Sequence, residues 1–270
     1  MTKAIQNVMS EEQLALMRDS YPVEERAQRI ILPRLGLYSQ DVTEGKGKTM
    51  KVIAEAGTFY TEKQTDEVDE NGKKIWTKTE IGTKFEGIIL YRRYQLRHYN
   101  SAEESYTSSP IYDTKDEVVP LFRDKAEVDK GTPAELQSRK EYQGVSAKGK
   151  PISKLEENRI LYVLYKDTLY QLSLRGTSMY AFLSYARTTL PPSVITRFSS
   201  ESKTAGTIAW NQMTFEVVRP LDEKEGAEIM GKIQEIREAI QAEKAQYITP
   251  ETTKADREFA EIGKKKDGAF

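Results

Sequence analysis

Arginine and tyrosine crowd one short stretch of this 270-residue chain, with Tyr91, Arg92, Arg93, Arg97 and Tyr99 close together. Guanidinium groups hold phosphates, and flat phenol rings accept stacked bases without demanding a sequence, so the combination has the chemistry of a surface for single-stranded nucleic acid. Alternation along Lys84–Tyr99 places Ile88, Leu90, Tyr94 and Leu96 on one side of a strand, and Tyr91, Arg93, Gln95, Arg97 and Tyr99 on the other. The first set reads as core and the second as a solvent-facing row. An ordinary solvated sheet face, with tyrosines packed on arginine stems, has the same pattern.

Further candidates lie downstream. Tyr165 and Tyr170 flank a short turn and extend a stacking platform, although most of their neighbours read equally well as core. Arg175 precedes Gly176-Thr177-Ser178, a turn that places free backbone N–H groups at a helix start, where a phosphate can sit. Arg197 and Lys203 add positive charge to a later hairpin, and Trp76 and Trp210 are large enough to stack on bases.

Catalytic motifs fail residue by residue. Gly45-Lys46-Gly47-Lys48-Thr49 ends like a phosphate-binding loop, but Val42 stands where its first glycine is required, and a strand follows instead of a helix. Glu67 to Lys78 has Asp69, Asn71 and Gly72 at calcium-loop spacing, yet Glu67 opens it and Lys78 replaces the closing glutamate. His98 is the sole histidine, and no nucleophile elbow accompanies it. With no cysteine there is no thiolate nucleophile, disulfide or cysteine-ligated metal. A non-enzyme without metal or cofactor is expected.

Hydrophobic residues make up 38% and charged residues 31%, enough apolar material for a folded body with polar arms. The formal net charge is −1, so attraction to nucleic acid must come from a local patch. MTKAIQNVMSEEQL lacks the basic and apolar regions of a secretory leader, and no apolar run reaches membrane-spanning length; a cytoplasmic protein away from membranes is expected.

Three regions are predicted. Residues 1–48 form a helical arm: Ser10 and Gln13 make a capping box for a helix over 11–20, and a second helix runs from Pro22 to Pro33. Residues 49–220 form the β-rich body, and 221–270 an amphipathic helix with Ile229, Ile233, Ile236 and Ile240 at helical spacing, followed by a polar tail. Within the body, strands over 51–61 and 73–79 form a hairpin turning at Asp69–Gly72. The long strand 84–99 comes next, and a Ser-, Asp-, Lys- and Gly-rich stretch over 100–158 reads as an extended insertion. Hairpin 159–175, a helix over 178–189 capped by Thr177 or Ser178, and hairpin 194–218 complete it. That order matches an OB-like five-stranded antiparallel barrel, within a β-rich α+β fold, with an extra N-terminal hairpin, a long insertion and flanking helices. Another antiparallel barrel or an α+β sheet remains the alternative.

Phe85-Glu86-Gly87-Ile88-Ile89-Leu90 leading into a basic and aromatic strand, Leu172-Ser173-Leu174-Arg175-Gly176-Thr177-Ser178 leading into a helix with Tyr185, and Thr214-Phe215-Glu216-Val217 closing the last hairpin resemble bacteriophage and phage-related OB-fold single-stranded DNA-binding proteins. The resemblance covers roughly residues 80–220. It implies a non-catalytic protein of DNA replication or recombination, in the host cytoplasm, binding single-stranded DNA or, alternatively, RNA. Members often carry cysteines in the insertion, and this chain has none, so no metal-stabilised loop is implied. Many single-stranded DNA-binding proteins recruit replication partners through an acidic tail ending in Phe; Phe270 and Asp267 fit, whereas Lys264-Lys265-Lys266 depart from it. The competing expectation is a protein-interaction or virion-associated module that assembles, as a homo-oligomer, through its terminal helices.

Overall fold

The computed structural model describes residues 32–44, 51–70, 72, 74–146 and 149–247. The helix expected over 11–20, that over 22–33 apart from its last two residues, which are not helical, the glycine-lysine loop at 45–49 and the tail beyond 247 lie outside them. The chain divides into two compact units, Leu32–Gln234 and a second made of Met1–Ile31 with Glu235–Phe270. The described residues are β-rich, about 55% strand and 22% helix.

In chain order the strands open with β1 (Arg34–Leu37), β2 (Val42–Glu44) and β3 (Lys51–Ala54), and continue with β4 (Phe59–Val68), β5 (Lys74–Gly82) and β6 (Lys84–Asn100). The segment between β6 and the next long strand carries β7 (Ser105–Ser108), β8 (Val119–Arg123), β9 (Ala126–Gly131), helix α1 (Pro133–Ser138), β10 (Gln143–Val145) and β11 (Pro151–Ser153). Then come β12 (Glu156–Tyr165), β13 (Thr168–Leu174), α2 (Gly176–Thr188), β14 (Val194–Ala205), β15 (Ile208–Pro220) and α3 (Glu223–Tyr247).

Local chemistry accounts for most of these boundaries. Lys166 and Asp167, both at positive φ, close the β12–β13 hairpin with a twist that suits its strands. Pro191-Pro192 stop α2. The cap of α2 differs from the expected one: Arg175 is its N-cap, without a side-chain bond, while Ser178 Oγ accepts from Met213 N at 3.0 Å and Thr177 Oγ1 from Trp210 Nε1 at 3.2 Å. Those hydroxyls tie the helix to β15. Gly87 is required on β6, because a Cβ there would lie 2.8 Å from the Leu164 carbonyl.

β6 is the strand from which the sheet is built. Its residues 88–97 pair with β12, 84–87 with β14 and 97–100 with β7, and a single bridge joins Tyr94 to Tyr112. β12 pairs in turn with β13, and β14 with β15, as the hairpins predict. The sheets do not close into a barrel. The outer edge of β13 is taken by β1, which runs parallel to it and then pairs with β4, so the sheet continues outward through β5. β15 finds no ladder beyond β14 among the described residues; Asn211 N instead donates to Ser39 O at 3.0 Å, and Ser200 Oγ on β14 donates to Gly57 O at 2.7 Å. The expected arm over 34–48 is therefore partly strand. The first expected hairpin strand also divides, into β3 paired with β2 and β4 paired with β5.

Beneath this sheet lies one apolar core of Leu35, Phe59, Phe85, Leu161, Leu172, Phe182, Phe198 and Phe215, drawn from seven strands and α2. The segment over 100–158, expected as an extended insertion, is folded. It carries a second core in which Tyr112, Val119, Leu121, Leu136, Tyr142 and Leu155 pack on Tyr94 and Leu96 of β6. α1 within it has a capping box between Thr132 and Glu135.

That insertion also decides the fate of Arg93, which is buried, not solvent-facing, with 2% of its surface exposed. Its Nε donates to Asp113 Oδ1 at 2.7 Å, Nη2 to Ile111 O at 3.0 Å and Nη1 to the Tyr162 hydroxyl at 3.3 Å. Removing one partner of a buried ion pair strands the other charge. Arg93→Ala is expected to cost about 3–5 kcal/mol, whereas exposed Arg175→Ala changes stability by no more than about 0.5 kcal/mol, both measured by urea unfolding.

Candidate nucleic-acid interface

A β-bulge sets which way the side chains of β6 point. Tyr162 pairs with Tyr91, but the next β12 residue, Val163, pairs with Ile89, so Leu90 is an extra residue in β6. Inward positions therefore change parity: Phe85 and Ile89 face the main core before the bulge, and Tyr94 and Leu96 face inward after it. Past the bulge, Tyr91, Arg93, Gln95, Arg97 and Tyr99 share the opposite face, as the alternation predicts. The insertion then covers the middle of that row. Arg93 is lost to Asp113 and Ile111, and Gln95 donates to Ser109 O at 3.0 Å.

What stays free is the far end of the row. Tyr99 pairs across the ladder with Tyr106 of β7, and their rings lie 4.6 Å apart between centres, inclined by 38°. The Arg97 guanidinium sits 5.3 Å from the Tyr106 ring centre. Tyr99 is 48% and Tyr106 55% exposed, a poor use of two large rings if packing were their only role. Arg97 is exposed and forms no ion pair among the described residues; its cross-strand neighbour Glu156 is exposed too. A cation beside two accessible rings can hold a phosphate while the rings stack on bases.

The remaining predicted residues divide between free and engaged. Tyr91 is half-buried, edge-on to Tyr162 at 6.2 Å. Arg92 is exposed, 5.6 Å from the centre of the Tyr94 ring on the other face of β6. Arg175 is exposed at the start of α2. Tyr170 is a core residue, 4% exposed, and Tyr165 packs half-buried against Phe85 and Tyr170, so neither offers an open ring face. Arg197 is committed to Glu86, at 2.8 and 3.2 Å, and Lys203 to Glu201 at 2.6 Å. Trp210 is held by Thr177.

Tyr106 was not among the sequence candidates, since its partner in the ladder was unknown and its own surroundings read as a polar loop. A second group of rings includes Trp76, a sequence candidate, although Tyr38 and Tyr60 were not among the candidates. Tyr38 stacks on Tyr60 at 4.5 Å with Lys78 4.7 Å from the Tyr60 ring centre, and Arg34 lies 4.5 Å over Trp76. Here the charge is consumed internally, because Glu62 takes up both Arg34, at 3.4 Å, and Lys78, at 3.9 Å.

Elsewhere His98 lines a polar recess of about 390 Å³ with Asn100, Glu103, Arg123, Glu141 and Tyr142. Its Nδ1 lies 3.2 Å from the Lys154 carbonyl, so the ring is oriented by backbone. Burial raises the Tyr142 phenol above its ordinary value, which leaves it a neutral hydroxyl. No group of metal-binding side chains assembles among the described residues, and no described helix is long and apolar enough to cross a membrane.

No protein-family model, curated protein or solved structure matches this chain. Its site must be judged on geometry. Because Arg97, Tyr99 and Tyr106 serve no core or ion pair, Arg97→Ala, Tyr99→Ala and Tyr106→Ala are each expected to alter unfolding stability by less than about 1 kcal/mol, measured by urea titration.

Proposed function

We propose that this chain is a non-catalytic protein that binds single-stranded DNA with little sequence preference, in replication or recombination, with single-stranded RNA as the alternative ligand. The observation that carries the reading is the exposed Arg97–Tyr99–Tyr106 cluster, a cation and two accessible rings side by side on a sheet. Bases stack on the tyrosines, and Arg97, with Arg92 and Arg175 as further free cations, meets the phosphates. Near-neutral overall charge leaves affinity to this local patch.

The strand pairing supports an OB-like relationship as far as it goes. β6–β12, β12–β13, β14–β15 and β14–β6 are four of the five ladders that such a barrel needs, with α2 between its third and fourth strands. β1 occupies the edge where the fifth ladder, between β13 and β15, would close it. The resemblance to phage single-stranded DNA-binding proteins, a cytoplasmic site of action, and recruitment of replication or recombination proteins through the tail belong to this proposal.

Fluorescence anisotropy with a labelled oligo-dT tests it. Wild-type protein should bind at low salt and release the strand as salt rises. Tyr99→Ala with Tyr106→Ala should weaken binding by tenfold or more, since each base stacked on a ring is worth about 1–3 kcal/mol. Absence of binding at low salt overturns the proposal.

A further inference from the structure

On the opposite face of β6 from Arg97, three cations gather around one ring. The centre of Tyr94 lies 4.2 Å from the Arg159 guanidinium carbon, 5.6 Å from that of Arg92 and 5.9 Å from Lys115 Nζ. The ladder explains the meeting: Tyr94 pairs directly with Arg159, Arg92 is two residues away on the same face, and the Tyr94–Tyr112 bridge brings in the loop that carries Lys115.

Among the described residues, one carboxylate serves this group. Glu157 lies 2.8 Å from Arg159 Nη1 and 3.3 Å from Lys115 Nζ, and it also accepts from the Tyr112 hydroxyl at 3.2 Å. One negative charge thus faces two cations, and Arg92 has no carboxylate partner among the described residues. The Arg159 side chain is 9% exposed; its Nη1 is in direct contact with Glu157 at 2.8 Å, and its buried Nε makes no hydrogen bond. Sharing one carboxylate with Lys115 offsets only part of the desolvation of the Arg159 guanidinium, whose Nε is left without an acceptor. Arg92 and Lys115, both exposed, keep the cluster open to an incoming anion.

We propose that Arg92 and Lys115, with the charge of Arg159 behind them, form a seat for a phosphate group, and that its occupant is a backbone phosphate of a single strand, held on the face of β6 opposite the Arg97 cluster. The second clause rests on the single-strand reading above. A tetrahedral oxyanion can accept from several N–H groups at once and balances the excess positive charge that Glu157 leaves.

Arg159→Ala risks unfolding, so the test uses the exposed pair, Arg92→Ala with Lys115→Ala, in the full chain. The first measurement is thermal unfolding in inorganic phosphate against chloride at matched ionic strength. Ligand bound only by the folded state raises the midpoint, so phosphate should raise that of wild type by a few degrees more than that of the variant. Equal shifts overturn the seat. The second is the salt dependence of oligo-dT binding, where losing phosphate contacts should flatten the slope of log affinity against log salt by about one to two units. An unchanged slope overturns the assignment to the strand backbone. If wild type responds to phosphate through these residues but binds no oligo-dT, the seat stands and the single-strand reading fails. If oligo-dT binds wild type and variant with one slope and phosphate acts equally on both, the seat fails and that reading stands.

Discussion

Seventeen residues of β6 present two edges of backbone donors and acceptors, and no single neighbour is long enough to satisfy them. The chain solves this by dividing the strand among β12, β14, β7 and the Tyr112 bridge. Most other features follow from that division. The two hairpins are brought together because both anchor on β6, and the folded insertion exists as β6's far-end neighbour. The bulge at Leu90 lies between the stretch packed on the main core and the stretch packed on the insertion's core.

The same division sorts the arginines and tyrosines into structural and available ones. Where the insertion crosses β6, Arg93 is spent on Asp113, Ile111 and Tyr162, a network that holds the insertion to the sheet. Where β6 runs past that crossing, Tyr99 and Arg97 stand clear beside Tyr106. The proposed stacking surface thus occupies a part of the strand that neither core uses.

The hairpins β12–β13 and β14–β15 and helix α2 were legible in the sequence, because each has its own periodicity and its own Gly, Pro or Asp punctuation. β1 was not, since four residues carry no period and its parallel pairing with β13 is a tertiary event. The insertion's core was hidden for a related reason: Tyr112, Val119, Leu121, Leu136, Tyr142 and Leu155 are scattered through polar sequence and meet only when folded. The alternation correctly placed Tyr91, Arg93, Gln95, Arg97 and Tyr99 on one face, but which of them is covered depends on Asp113, twenty residues away. Charge pairing was equally unreadable, as Arg197 meets Glu86 across 111 residues.

Photocrosslinking tests the central claim most directly. An oligonucleotide carrying bromodeoxyuridine, bound to the full-length chain and irradiated, should leave its adducts on the peptides that contain Tyr99 and Tyr106, and unlabelled oligo-dT should suppress them. Adducts confined to other rings, such as Tyr38, Tyr60 or Trp76, under conditions where the strand is bound, would contradict it.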